Sequence, residues 1–261
     1  MRTVSPMEPA TPDVRAAPPP VPPAPAGRRT MTEEVLVVLV LSLLASAVYA
    51  VIDLLSHPLA GVVAFAGNQT PSFLLQLVDL FFALGPVFLV LHLVTRADGS
   101  IDAIGLQTDR PGPDVARGAA LFVVVAAGGL AIYLASVALG VNRFVVPVPP
   151  LGHWWTVPAL VLNSAEAALL EEVIVLGYLI TRLQQLRWQP LAAVAASALL
   201  RGGYHLYQGW GGFFGNLAMG LLFGVLFLRW RRTWPFVVAH FLLDVAAGVG
   251  FILFRHHLPG F

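Results

Sequence analysis

Apolar residues in this chain run in long stretches separated by short polar, glycine- or proline-bearing intervals, without the period-two alternation of a membrane barrel strand. Stretches long enough to cross about 30 Å of hydrocarbon predict spans near 34–55, 73–95, 115–139, 157–181, 190–204, 213–229 and 235–254. The expected fold is all-α, a polytopic transmembrane helix bundle of about seven spans. The fifth stretch is the weakest. It is short, contains Arg201, and is followed by Gly202, Gly203, Gly209, Gly211 and Gly212, so a tilted, broken or re-entrant segment also fits it. Ahead of the first span, residues 1–32 are rich in proline and alanine, with Pro18, Pro19, Pro20, Pro22, Pro23 and Pro25 close together. Proline lacks the amide donor a helix needs, so a disordered cytoplasmic tail is expected there and a helical membrane domain over 33–255. The first apolar run, Val35 to Ile52, is longer than a signal-peptide core and no A-x-A-like site clearly follows it, so it reads as a retained span.

The arginines add orientation to this pattern. Arg28 and Arg29 precede the first predicted span, and Arg96, Arg110 and Arg117 lie between the second and third. Arg182 and Arg187 follow the fourth, and Arg229, Arg231 and Arg232 follow the sixth. Alternate loops hold only Arg143 and the terminal Arg255. Basic residues favour the cytoplasmic side, so the N-terminus is expected inside and the C-terminus outside. Composition agrees with the bilayer as main solvent: 57% of the 261 residues are hydrophobic and only 11% charged. The formal charge of +1 gives no reason to expect a nucleic-acid partner. The absence of cysteine excludes disulfides, thiolate metal sites and a cysteine nucleophile. An arginine-only, Ala/Leu/Val-rich chain suggests a bacterial plasma membrane.

Ionisable groups at bilayer depth need partners or water, and here they concentrate in the later predicted spans. Glu166, Glu171 and Glu172 lie in the fourth, Arg201 and His205 in or at the end of the fifth, Asn216 in the sixth, and His240 and Asp244 in the seventh; Asp79 is the comparable residue in the first half. Residues four apart share a helix face, which pairs Arg201 with His205 and His240 with Asp244, while adjacent Glu171 and Glu172 point about 100° apart. Three helices can then converge on one polar pocket. A buried carboxylate can serve as general base on a water while histidines polarise the scissile bond. His205, His240 and Asp244 are equally a candidate ligand set for a divalent ion such as zinc, and the residues themselves leave both options open. The plainer alternative is that the charges pair and pin the helices together. Four carboxylates against one arginine favour a working site over simple pairing.

The order of these residues resembles the CAAX prenyl-protease and bacteriocin-processing (Abi) family of membrane endopeptidases. That family's pattern is a Glu-Glu pair with a later Arg, then Phe-x-x-x-His, then His-x-x-x-Asn or Asp, on successive helices. Here it reads Glu171-Glu172, Arg201-x-x-x-His205 and His240-x-x-x-Asp244, over about residues 157–250. The resemblance implies hydrolysis of a peptide bond in a membrane-associated substrate. By it, Glu171 activates the water, Glu172 assists, His205 positions the water, and His240 and Asp244 stabilise the tetrahedral intermediate. Family accounts differ on whether a metal takes part. Two positions depart from the pattern: Leu176 stands where the motif has Arg, and Arg201 where it has Phe. Arg201 is therefore expected to supply the glutamates with a positive partner from a different helix. Two other functions fit the same chain: a non-catalytic scaffold or immunity-type protein of this fold, for which Leu176 is the best argument, and a proton- or ion-coupled transporter. The absence of paired broken helices in matching halves counts against transport.

Overall fold

A computed structural model of the chain describes residues 27–57, 63–65 and 69–257. Most of the expected proline-rich tail, residues 1–26, lies outside the described residues, and helix α1 (Arg28–Val40) starts directly after it. A bend separates α1 from α2 (Leu43–Ser56). Next come the short strand β1 (Val63–Phe65), α3 (Phe73–Ala83), α4 (Gly85–Asp98) and α5 (Pro111–Ala138). Strand β2 (Phe144–Val146) pairs in parallel with β1, Val63 opposite Phe144 and Phe65 opposite Val146. After α6 (Thr156–Glu171) the helix widens to a π-helical turn at Glu172–Tyr178 and narrows again as α7 (Leu179–Gln185). Helices α8 (Pro190–Tyr204), α9 (Trp210–Trp230) and α10 (Trp234–Phe254) complete the bundle.

The expectation of about seven spans is not met. Among the described residues, four helices are long and apolar enough to cross a membrane: Phe73–Asp98, which runs on through Pro86, then Pro111–Ala138, Trp210–Trp230 and Trp234–His257. The bent pair α1 and α2, turned by 50°, makes a fifth if it is one broken span. The two lost spans fail for different reasons. Helix α8 has 15 residues, about 22 Å at 1.5 Å per residue, and falls short of the hydrocarbon thickness. The run from α6 to α7 is long enough, but it carries Glu166, Glu171, Glu172 and Arg182, and every residue from Glu172 to Leu183 is buried by the protein itself. Hydropathy reports an apolar surrounding without saying whether lipid or neighbouring helices supply it. On α3 and α5 lipid is the fitting answer, because Leu74, Phe81, Val123, Val124 and Leu130 are all exposed. The chain is an integral membrane protein in which a lipid-facing set of long helices surrounds a shorter interior.

That interior holds the main core. Ile174, Leu176 and Tyr178 of the π turn pack with Val90 and Val94 of α4, Phe223 and Phe227 of α9, and Phe236 of α10. Helices α8 and α9 approach closely because Gly220 and Gly224, four apart on α9, face Ala198 and Val194; a Cβ on Gly224 would lie 2.6 Å from Val194 Cγ1. Small residues at this spacing let backbones meet in a setting where apolar burial does not drive helix association.

The arginine-bearing connections meet at one end. Arg232, between α9 and α10, donates to Asp114 at the first turn of α5 and to Asp109 before it; Arg231 Nη1 donates to Gln184 at 2.7 Å, and Arg182 Nη1 to Asp98 at 2.7 Å. Arg143 lies at the opposite end, against the last turn of α2 and the turn that joins α8 to α9. The arginine pattern thus reported which loops share an end, although the helices between them are not all membrane-length.

Candidate active site

Glu171 is the last residue of α6 and Glu172 the first of the π turn, so the helix changes its winding between the two carboxylates. The wider turn fits a run of β-branched residues, Val173, Ile174 and Val175, and such turns recur at functional sites. It is anchored from α8, where Ser197 Oγ donates to the Val175 carbonyl at 2.7 Å. The winding gives the two glutamates different surroundings.

Glu172 faces inward. Its Oε1 accepts from Arg201 Nη2 and, at 2.8 Å, meets Nδ1 of His240. Arg201 comes from α8, where Gly220 of α9 leaves room for its side chain: a Cβ there would stand 3.2 Å from Arg201 Cδ. Its guanidinium lies over the Phe223 ring, 5.8 Å from the centroid, an apolar and weakly attractive wall. Glu171 faces toward the end of α8. Its Oε2 accepts from the Tyr204 hydroxyl at 2.7 Å and lies 3.7 Å from Arg201 Nη1. On α10, Nε2 of His240 lies 3.5 Å from Asp244 Oδ2. Side-chain exposure grades outward through the cluster, from 0% at Glu172 and 2% at Arg201 to 6% at His240, 12% at Glu171 and 38% at Asp244. The site therefore opens past Glu171 on the Asp244 side.

Helices α6, α8 and α10 thus bring Glu171, Glu172, Arg201, His240 and Asp244 into one cluster. His205 sits at its edge as the C-cap of α8. Its Nδ1 meets the Arg201 carbonyl at 3.0 Å, and its ring tilts against that of Tyr204, 4.8 Å between centroids. His205, His240 and Arg201 all lie within electrostatic reach of Glu171, and Glu166 lies within reach of both Glu171 and Asp244. Asp79, by contrast, is exposed on α3, and Asn216 donates to the Gly212 carbonyl one turn back on its own helix. Leu176, in the motif-arginine position, is buried in the apolar core.

The candidate zinc ligands from the sequence are engaged as follows. Both nitrogens of His240 face carboxylates, His205 Nδ1 is at a carbonyl, and among the described residues no three His, Asp or Glu side chains come together to hold a metal ion. Two polar atoms at the centre have no hydrogen-bond partner: Glu172 Oε2, an acceptor, and Arg201 Nη1, a donor. Buried polar atoms rarely go without a partner.

Sequence reasoning missed the Tyr204 bond to Glu171, because a tyrosine at a helix end reads equally well as packing. It also missed three ion-pair groups outside the cluster: Arg182 with Asp98 and Gln185, Arg232 with Asp114 and Asp109, and Arg143 with Asp53. Charge complementarity between predicted loops was the available signal, but it does not choose among several acidic partners.

The chain is a membrane helix bundle with glutamate, arginine and histidine gathered at a buried polar site in its interior. Residues 153–246 match the family model described as Type II CAAX prenyl endopeptidase Rce1-like. No curated protein and no solved structure matches the chain. The matched segment contains every member of the cluster and begins after Arg143.

Proposed function

We propose that the protein is an intramembrane endopeptidase of the CAAX type, hydrolysing a peptide bond of a membrane-associated substrate with a water activated by Glu171. The observation that carries this reading is the unequal condition of the two glutamates. Glu172 is fully buried and held by Arg201 and His240, whereas Glu171 keeps an accessible edge and has Oε1 without a partner among the described residues. A general base must reach its water and still be held in orientation, which the Tyr204 hydroxyl does through the other oxygen. Glu171 takes the proton of a water on its open side, and the hydroxide attacks the carbonyl carbon. Arg201 Nη1, a donor without a hydrogen-bond partner that lies 3.7 Å from Glu171 Oε2, turns to the oxyanion, and Glu171 returns the proton to the leaving amine. His205 borders the water, and Asp244 with His240 forms the outer wall. The arginine-rich end faces the cytoplasm in this reading, as basic loops prefer.

A scaffold of the same fold is the second reading, favoured by the apolar Leu176 in the core where the motif carries arginine. One experiment separates the two. Cells lacking the protein are rescued with wild type or with Glu171→Gln at matched expression, and the N- and C-termini of membrane proteins are compared. Loss of a general base lowers the rate by roughly 10²–10⁴-fold, so termini dependent on the protein are expected to vanish in the variant. Equal rescue, with no terminus depending on Glu171, leaves the scaffold.

A further inference from the structure

The turn that carries His205 is held from outside the matched domain. Helix α8 ends at Tyr204, His205 caps it, and a single 3₁₀ turn, Leu206–Gln208, leads through Gly209 into α9. The connection from α5 to β2 lies along this turn. Arg143 N donates to Gln208 O at 2.8 Å, Trp210 N to Val141 O at 3.0 Å, and Gly212 N to Asn142 Oδ1 at 2.9 Å. Gly209 permits the approach in two ways: it has φ +96°, and a Cβ there would lie 2.7 Å from the Val141 carbonyl. Arg143, only 2% exposed, is the centre of the contact. Its Nη1 donates to the Asp53 carboxylate and, at 3.0 Å, to the Tyr207 carbonyl; its Nη2 donates to the carbonyls of Asp53 and His57, at 3.3 and 3.2 Å. The Tyr207 ring in turn lies along that of His205, 6.3 Å between centroids and 26° from parallel.

His205 itself has little to fix it. Among the described residues its ring makes one hydrogen bond, to the carbonyl of Arg201, and packs by the Tyr204 and Tyr207 rings. A residue just past the last turn of a helix keeps one orientation only if the chain beyond it is held. We infer that Arg143 is a positioning residue for the active site, fixing the 205–209 turn, and through it the His205 ring, by joining the end of α2 to the Tyr207 carbonyl. The guanidinium is suited to this because it bridges one carboxylate and three carbonyls from a single rigid plane; a lysine at 143 can reach only part of that set. The inference rests on His205 belonging to the catalytic centre proposed above.

The test has a chemical arm that does not depend on catalysis. Purified protein in detergent is treated with diethylpyrocarbonate, and modification of His205 and His240 is followed by mass spectrometry in wild type, Arg143→Ala, Arg143→Lys and Asp53→Asn. Loosening the turn is expected to raise the His205 rate roughly tenfold in Arg143→Ala, as local opening becomes easier, with His240 unchanged and a cooperative thermal transition retained. Arg143→Lys falls between, and Asp53→Asn gives a smaller rise. Processing of Glu171-dependent termini falls with the same ranking, by up to roughly 10²-fold, as expected for a displaced catalytic group. If Arg143→Ala does not fold, Asp53→Asn and Arg143→Lys decide the matter by the same ratio. A His205 to His240 ratio identical to wild type in the folded variants overturns the inference. An altered ratio without any Glu171-dependent terminus instead removes the endopeptidase reading and leaves the clasp as a structural device.

Discussion

The cluster around Arg232 and the cluster around Arg201 use the same chemistry, one guanidinium between two carboxylates, and differ in how completely their groups are satisfied. Arg232 donates through Nε to both oxygens of Asp114, through Nη2 to Asp114 and the Gln107 carbonyl, and through Nη1 to Asp109. All three of its nitrogens are engaged, and Asp114 also sits in the first turn of α5, where negative charge is favoured. Arg201 is more deeply buried, yet its Nη1 and Glu172 Oε2 are without hydrogen-bond partners, and Glu171 keeps one oxygen open. A pair that only joins helices gains from saturating every donor, since each unsatisfied buried group costs about 1–3 kcal/mol. The incomplete cluster keeps that cost at the place where water and substrate would complete it. The complete one closes the arginine-rich end.

Breaking each cluster at its arginine is the sharpest trial of this difference. Arg201→Ala leaves Glu172 buried against His240 alone, and removing one partner of a buried pair is expected to cost about 3–5 kcal/mol, seen as a lowered thermal midpoint in detergent together with lost processing. Arg232→Ala is expected to cost less, about 2 kcal/mol, because Asp109 is exposed and water can replace the lost donors near the bundle end. Its processing of membrane-protein termini should persist wherever folded protein persists. Equal losses of stability, or loss of processing in folded Arg232→Ala, would dissolve the distinction.

A smaller effect sharpens the same comparison through pH. The hydrogen bond from Arg232, helped by its charge, holds the Asp109 carboxyl below the usual carboxylate range. A carboxyl with a depressed folded-state pKa contributes stability that is present above its unfolded value, about 4, and lost as pH falls through the folded value. The thermal midpoint should therefore decline on acidification below about pH 4, and Asp109→Asn should flatten part of that decline. Added salt should shrink the difference, since Asp109 is solvent-facing. A decline unaffected by Asp109→Asn would assign it to other carboxyls.

Much of the site was legible because helical spacing is local. Arg201 with His205, and His240 with Asp244, lie one turn apart whatever the helices do next, and the Glu171-Glu172 step guarantees divergent directions. Which glutamate would be locked and which open was not legible. It follows from the π turn at Glu172–Tyr178, whose register depends on how Val175 and Gly177 meet α8 and the Ile104 loop. The Tyr204 bond to Glu171 was not legible either, since it needs the angle between α6 and α8. The span count failed on α8 and on the α6 to α7 run, where apolar residues meant burial by protein and not by lipid.

By itself the sequence determined that the bilayer is the main solvent, that the fold is helical, that the basic loops share one end, and that carboxylates and histidines recur at one-turn spacing on later helices. These are properties of composition and of a helix taken alone. Only the tertiary structure decided which helices face lipid, which glutamate keeps an open edge, and that Arg143 holds the turn after His205. Those depend on distances between residues far apart in the chain, set by the close approach of α8 and α9 at Gly220 and Gly224 and by the change of winding after Glu171.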